Sequence, residues 1–209
     1  MQTVDNEKIQ RLLESLEKRN ITAYYAPTKE DALALVKEMI PAGSTVSTGG
    51  SQTLKQVGII DYLKSGEVTY LDRTDPALSP EQRKAVEKAG LTADVFLSST
   101  NALTEDGKLF NIDGNGNRVA AMLYGPDRVI IVAGINKIVA NEKDAEWRVR
   151  NVASPPNTVR LNKKTPCAAL GKCMDCNSPD RICNEFVWIV RQRDYGRMHV
   201  VIVGEELGF

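Results

Sequence analysis

Every cysteine of the 209-residue chain lies in one short stretch, Thr165 to Asn184 (TPCAALGKCMDCNSPDRICN). Cys167, Cys173, Cys176 and Cys183 are spaced C-x5-C-x2-C-x6-C. Thiolates are soft donors, and four from a single loop suit one metal centre, either an iron–sulfur cluster or a zinc ion. The C-x2-C pair serves both metals, and neither longer spacing selects between them. Free buried thiols, or a redox dithiol at Cys173 and Cys176, form the third reading. In a reducing compartment metal ligation is favoured over two disulfides. Lys172 and Arg181, if they stand beside the thiolates, would lower thiol pKa and offset negative charge; each also reads as a solvated loop charge.

Two glycine-bearing stretches could hold an anion. Ser47, Thr48, Gly49, Gly50 and Ser51 lie between a short strand and a helix opening at Gln52. That arrangement aims backbone N–H groups at a ligand, and the hydroxyls add donors. It is not a P-loop, since no G-K-[ST] follows, and a plain strand-to-helix connection uses the same residues. The second stretch runs from Thr100 to Arg118 and collects Asn101, Asn111, Asp113, Gly114, Asn117 and Arg118. Turn chemistry explains its Asp-Gly and Asn-Gly pairs, but less well the concentration of amides beside an arginine. Asn136 and Lys137, at the end of the next strand, complete the ligand-binding set.

These residues need a scaffold, and the chain alternates helix and strand. Ile9, Leu12, Leu13 and Leu16 give an amphipathic helix over Asp5–Asn20, followed by a strand at Ile21–Ala26 and a helix at Thr28–Ile40. Strands are expected at Thr45–Ser47, Glu67–Leu71, Ala93–Ser99 and Asp127–Ile135. Ser79-Pro80-Glu81-Gln82 starts a helix ending at Gly90, and another spans Glu142–Asn151. Glu105-Asp106-Gly107 turns a small hairpin. The C-terminal apolar runs around Asp194-Tyr195-Gly196 read as an antiparallel hairpin. The fold class is therefore α/β: a mostly parallel sheet with helices on both faces, plus that hairpin and the cysteine-rich loop. Ligands of such sheets bind beyond the C-terminal ends of strands, where both glycine stretches fall. One domain over residues 1–209 is expected, with 160–209 as an appended lobe.

Hydrophobic residues make up 42% of the chain, enough for a sizeable core. Lys+Arg and Asp+Glu are equal at 27, which argues against nucleic acid as a partner. The lone histidine, His199, sits in an apolar run and reads as a strand residue near the core. The charged N-terminus has no signal-peptide pattern, and the longest apolar run, Val129–Ile135, is too short to span a bilayer. A cytoplasmic protein with no membrane partner is expected.

Three stretches, TNALTEDGKLFNIDGNGNRVAA, GPDRVIIVAGINK and the cysteine loop, together resemble the LUD (lactate utilisation) domain family, typified by the third protein of a bacterial lactate-oxidation system. The resemblance covers about residues 6–209 and is most specific over 100–184. It implies a fold similar to ribose-5-phosphate isomerase, glucosamine-6-phosphate deaminase and coenzyme A transferases. It also implies a role in oxidising L-lactate to pyruvate as a non-autonomous component, and tilts the cysteines toward iron–sulfur. By the same resemblance Asn111 and Gly114 take cleft positions of the sugar-phosphate isomerases. The acid those enzymes carry after the matching strand is replaced here by Thr100-Asn101-Ala102, and an amide is no general base. Asp113 is the candidate substitute. The implied partners are a small anionic metabolite or phosphate-bearing ligand, other lactate-oxidation proteins, and further copies of the chain in a homo-oligomer. No dinucleotide fingerprint is present, so the chain carries no hydride acceptor of that kind. Two alternatives remain: a stand-alone isomerase, hydrolase or transferase on a sugar phosphate or coenzyme A ester, and an accessory scaffold or sensor with a structural zinc.

Overall fold

The computed structural model describes residues 6–209. Six strands form a parallel sheet: β1 (Thr22–Ala26), β2 (Thr45–Thr48), β3 (Thr69–Leu71), β4 (Val95–Ser98), β7 (Arg128–Gly134) and β10 (Met198–Val203). A second sheet holds β5 (Ala102–Thr104), β6 (Leu109–Asp113), β8 (Ile138–Val139) and β9 (Glu185–Ile189). The orders are β1-β10-β7-β4-β2-β3 and β8-β5-β6-β9.

The main sheet is buried on both faces, which is why its central strands are continuously apolar rather than alternating. In β7, Ile130 and Val132 face one core, and Val129 and Ile131 face the other. The first core is closed by α2 (Lys29–Met39), α3 (Gln52–Gln56) and α4 (Ile59–Lys64) through Ala32, Val36, Leu54, Ile59 and Leu63. The second is closed by α1 (Asn6–Glu17) and α6 (Asn117–Leu123) through Leu12, Leu16, Ala121 and Met122. Fully burying each of the Val, Leu, Ile and Met side chains among them contributes roughly 1.5–3 kcal/mol.

Helix starts follow the sequence closely. Thr28 and Asp31 form a reciprocal capping box on α2, and Ser79 and Gln82 form one on α5 (Pro80–Ala89). Each such cap is worth about 1 kcal/mol.

The C-terminal strands correct the expected hairpin, because they do not pair with each other. β10 lies parallel between β1 and β7, with Val201 opposite Tyr24 and Val132. β9 instead runs antiparallel to β6. The run MHVVIV has no polar alternation, so it needs a site covered on both faces, which only the centre of the parallel sheet supplies. Residues 198–203 are thus integral to that sheet.

The second sheet is joined to the ends of the main one by β4–β5 and β7–β8. Phe110 stacks on Trp188 at 4.3 Å between ring centres, tying β6 to β9. The helix predicted at 142–151 is also longer than expected. α7 (Glu142–Arg148) passes through a π-helical turn, Val149–Ala153, into α8 (Ser154–Arg160). Pro155 and Pro156 lack N–H groups, and the wide turn before them removes the clash a regular helix would suffer. It leaves Arg148 buried and directs Arg150 toward the cysteine loop, which begins with α9 (Pro166–Leu170).

Candidate functional site

A cleft of about 660 Å³ opens where β2, β4 and β7 end. The chain's charges balance overall, but those of the cleft do not. Arg73, Arg83, Arg118, Lys137, Arg160, Lys163 and Arg181 line it against Glu87, Asp113 and Asp180. The carboxylates are engaged: Glu87 holds Arg73 at 2.7 Å, and Asp180 accepts from the Lys164 amide. Burial, and after it the charge of nearby Arg73, lowers the Arg160 pKa. Cations gathered without matching acids form a site for negative charge.

Arg118 is the structural centre. Its Nη1 donates to Ser99 O and Asn111 Oδ1, and its Nη2 to Asn101 Oδ1 and Ile112 O, at 2.8 to 3.1 Å. Burial lowers its pKa, and Asp113 offsets part of that effect. Gly49 is a glycine because Arg118 passes against it: a Cβ there would stand 2.8 Å from Arg118 Cδ and from Ser98 Oγ.

Asp113 uses both oxygens locally. Oδ1 accepts from the Gly114 amide at 2.8 Å, Oδ2 from the Val119 amide at 3.1 Å, and Arg118 Nε lies 3.5 Å away. These contacts fix the glycine loop and start α6. They leave no oxygen of Asp113 without a partner.

Lys137 is 4% exposed and lines the cleft. Its Nζ bonds to Ser99 Oγ at 2.8 Å and Thr53 Oγ1 at 2.9 Å. Burial, then the charges of Arg148 and Arg118, lower its pKa to about 7. Such a value puts an amine at its most useful for proton transfer or nucleophilic attack.

Of the residues singled out in the sequence, Gly50, Ser51, Asn101, Asp113, Gly114, Asn117, Arg118 and Lys137 meet in this cleft. Ser47, Thr48, Gly49, Asn111 and Asn136 are not part of its lining. Thr48 bonds to the Tyr70 hydroxyl, Ser47 packs against Gly90, and Asn136 Oδ1 accepts from the Leu207 amide. Ser51 caps α3 through the Leu54 amide. Sequence reasoning missed Arg73, Arg83, Thr53, Ser99 and Arg160. They come from segments far apart in the chain, and only β-strand order brings them together.

The four cysteines line a separate small pocket of about 20 Å³, room for one water-sized guest. The Cys167 Sγ lies 3.2 Å from Thr165 Oγ1, and Arg150 Nη1 is 3.9 Å from Cys173 Sγ. Arg181 donates to the carbonyls of Cys176 and Cys183. Burial raises the Cys183 pKa, outweighing the lowering effect of Arg181. The expected help from Arg181 is therefore present but is not the larger effect. Lys172 is exposed, and Arg150 takes the thiol contact instead. Among the described residues no three Cys, His, Asp or Glu side chains stand close enough to form a metal-binding group. The donors nonetheless fit a thiolate-bound metal in kind: four thiols on one pocket, with two guanidiniums beside them.

Arg181 and Ile182 line both spaces. Gly114 sits against this wall, where a Cβ would be 3.2 Å from Ile182 O. The cysteine loop is thus a side of the cleft.

The LUD domain family profile matches residues 9–203. The fold is similar to that of a DUF162 family protein from Deinococcus radiodurans, at 17% identity and a TM-score of 0.52, covering 95% of this chain and 97% of that one. A ribose 5-phosphate isomerase from Plasmodium falciparum aligns at 19% identity and a TM-score of 0.33, over 54% of this chain and 52% of its own. No curated protein sequence matches. Among the described residues no helix is long and apolar enough to cross a membrane.

Proposed function

This chain belongs to the LUD domain family, and from that premise we propose that it serves L-lactate oxidation to pyruvate as a non-autonomous component whose cleft binds a small anion. The observation that carries the reading is the excess of cations over carboxylates in the cleft, in a chain whose formal net charge is zero. Arg73, Arg83 and Arg160 supply charge to an incoming carboxylate or phosphate. Arg118 holds the strand ends that shape the site. Gly50 and Asn117 line it without adding negative charge.

Cys167, Cys173, Cys176 and Cys183 would hold the metal. An iron–sulfur cluster there would supply one-electron transfer, and a zinc ion would supply a cross-link. Arg150 and Arg181 would offset the thiolate charge. Because Arg181 lines both spaces, the metal-bearing loop would form part of the wall around the anion.

The stand-alone isomerase reading has weaker support, because Asp113, the candidate base, is committed to the Gly114 and Val119 amides and stands beside Arg118.

Two measurements test the proposal. A ligand at about 100 times its dissociation constant should stabilise the protein by about 2.7 kcal/mol. Pyruvate, lactate or phosphate should raise the melting temperature, and a neutral sugar should not; a flat response to all three anions would count against the cleft. Metal and sulfide analysis of anaerobically purified protein then decides the loop. Iron with sulfide supports the electron-transfer role, whereas zinc alone points to a structural one. Isolated protein should not turn over lactate with an artificial electron acceptor, and robust turnover without partners would remove the non-autonomous role.

A further inference from the structure

We infer that Lys137 is a nucleophilic amine that captures a small 2-oxo acid as an imine at the floor of the cleft. The inference rests on the anion-binding reading and gives it a substrate class.

The hydrogen bonds around Nζ carry the argument. Ser99 Oγ donates to Thr100 O, and Thr53 Oγ1 donates to Leu207 O, both at 3.3 Å. With their protons so directed, both hydroxyl oxygens act as acceptors toward Lys137, at 2.8 and 2.9 Å. A neutral amine has two N–H bonds and one lone pair. The two acceptors use both N–H bonds and leave the lone pair unengaged. An ammonium group would carry a third N–H and a full charge, and among the described residues its bonded partners include no carboxylate. The charges of Arg118 and Arg148 also bear on this nitrogen. Like charges beside a buried amine favour its neutral form.

The same arginines choose the substrate. In a 2-oxo acid the carboxylate is bonded directly to the carbonyl carbon. Attack by Lys137 therefore places that negative charge within a few bonds of Nζ, where the positive charge is concentrated. A simple aldehyde gains nothing from those arginines, and lactate has a hydroxyl where a 2-oxo acid has the ketone carbonyl that an amine attacks.

The step balances without an oxidant. The nitrogen lone pair forms a bond to the carbonyl carbon, and the carbonyl oxygen takes up a proton. Loss of the nitrogen proton and of water then gives the imine. Water addition reverses it, so capture and release need no other reactant.

The test is reductive trapping on the 209-residue protein as purified anaerobically. Pyruvate with cyanoborohydride, at about pH 8, should convert the imine to a stable secondary amine that peptide mapping locates. Modification at Lys137 is expected to exceed that at surface lysines by at least about tenfold, since an ordinary lysine is almost wholly protonated at that pH. Lactate should leave no adduct, and phosphate should slow the pyruvate reaction at Lys137. Lys137→Gln should lose the adduct. If that variant fails to fold, the wild-type map still decides, because it reads the modified residue directly. An adduct spread evenly over surface lysines would overturn the inference. So would a pyruvate-induced rise in melting temperature with no adduct, although anion binding would then stand. No thermal shift with any anion and no adduct would overturn both.

Discussion

The cleft and the thiol pocket share Arg181 and Ile182, yet they are built in opposite ways. The cleft is assembled from the ends of β2, β4 and β7, from α5 and α8, and from the second sheet. Its central groups are held from several directions: Arg118 alone has four acceptors and a nearby carboxylate. The thiol pocket comes mainly from one loop, with half-exposed cysteines and few contacts per thiol. A long-range site is ordered by the fold before any ligand arrives. A local loop gains its order from what its side chains bind.

The sharpest way to break this contrast is Arg118→Ala. Removing one member of a buried charge pair leaves Asp113 and several acceptors without a partner, which should cost about 3–5 kcal/mol. Urea unfolding would read the loss. A cost below about 1 kcal/mol would show that the cleft is not held from its centre.

Chelation should act on the other region. If the four thiols hold a metal, as proposed, hydrogen exchange of residues 165–184 should rise on chelation, while amides of β4, β7 and β10 stay protected. Uniform loss of protection would make the two regions one cooperative unit.

Lys137 gives a pH signature. The folded amine loses its proton near pH 7, whereas an unperturbed lysine keeps it to about 10.5. Between those values the unfolded state binds the extra proton, so stability should rise with pH and level off below about 7. Lys137→Met should remove this slope and stabilise the protein at pH 7 by a few kcal/mol, on the order set by about 1.36 kcal/mol per pKa unit. Matching denaturation curves for the two proteins from pH 7 to pH 9 would contradict the assigned environment.

The smallest effect is expected at the shared wall. Gly114→Ala would press a methyl on Ile182 O at 3.2 Å, a contact the loop can relieve by a small shift. A cost of roughly 1 kcal/mol is expected, with faster exchange in the loop than in β6.

Much of this was legible in the sequence, but unevenly. The helix start at Ser79 was a local signal with a local cause, and so was the Glu105–Gly107 hairpin turn. The cysteines were visible for the same reason. The family relation and the parallel α/β fold were read from stretches that kept their order along the chain. The position of β10 was not, because an apolar run states that it is buried but not between which neighbours. The cleft cations were the least legible. Arg73 and Arg160 sit 87 positions apart with no shared pattern, and only topology brings them close. Lys137 was noticed as a strand end, whereas its neutral-amine environment depends on Thr53 and Ser99, contributed by other elements.

The central claim is that ligand chemistry resides in the cleft rather than at the thiols. Calorimetric titration of pyruvate into anaerobically purified protein tests it, with wild type, Arg160→Ala and Cys176→Ser compared side by side. The cleft account predicts that Arg160→Ala weakens binding about tenfold, equivalent to about 1.4 kcal/mol, while Cys176→Ser leaves it within about twofold. Binding that survives Arg160→Ala and is lost in Cys176→Ser would contradict it.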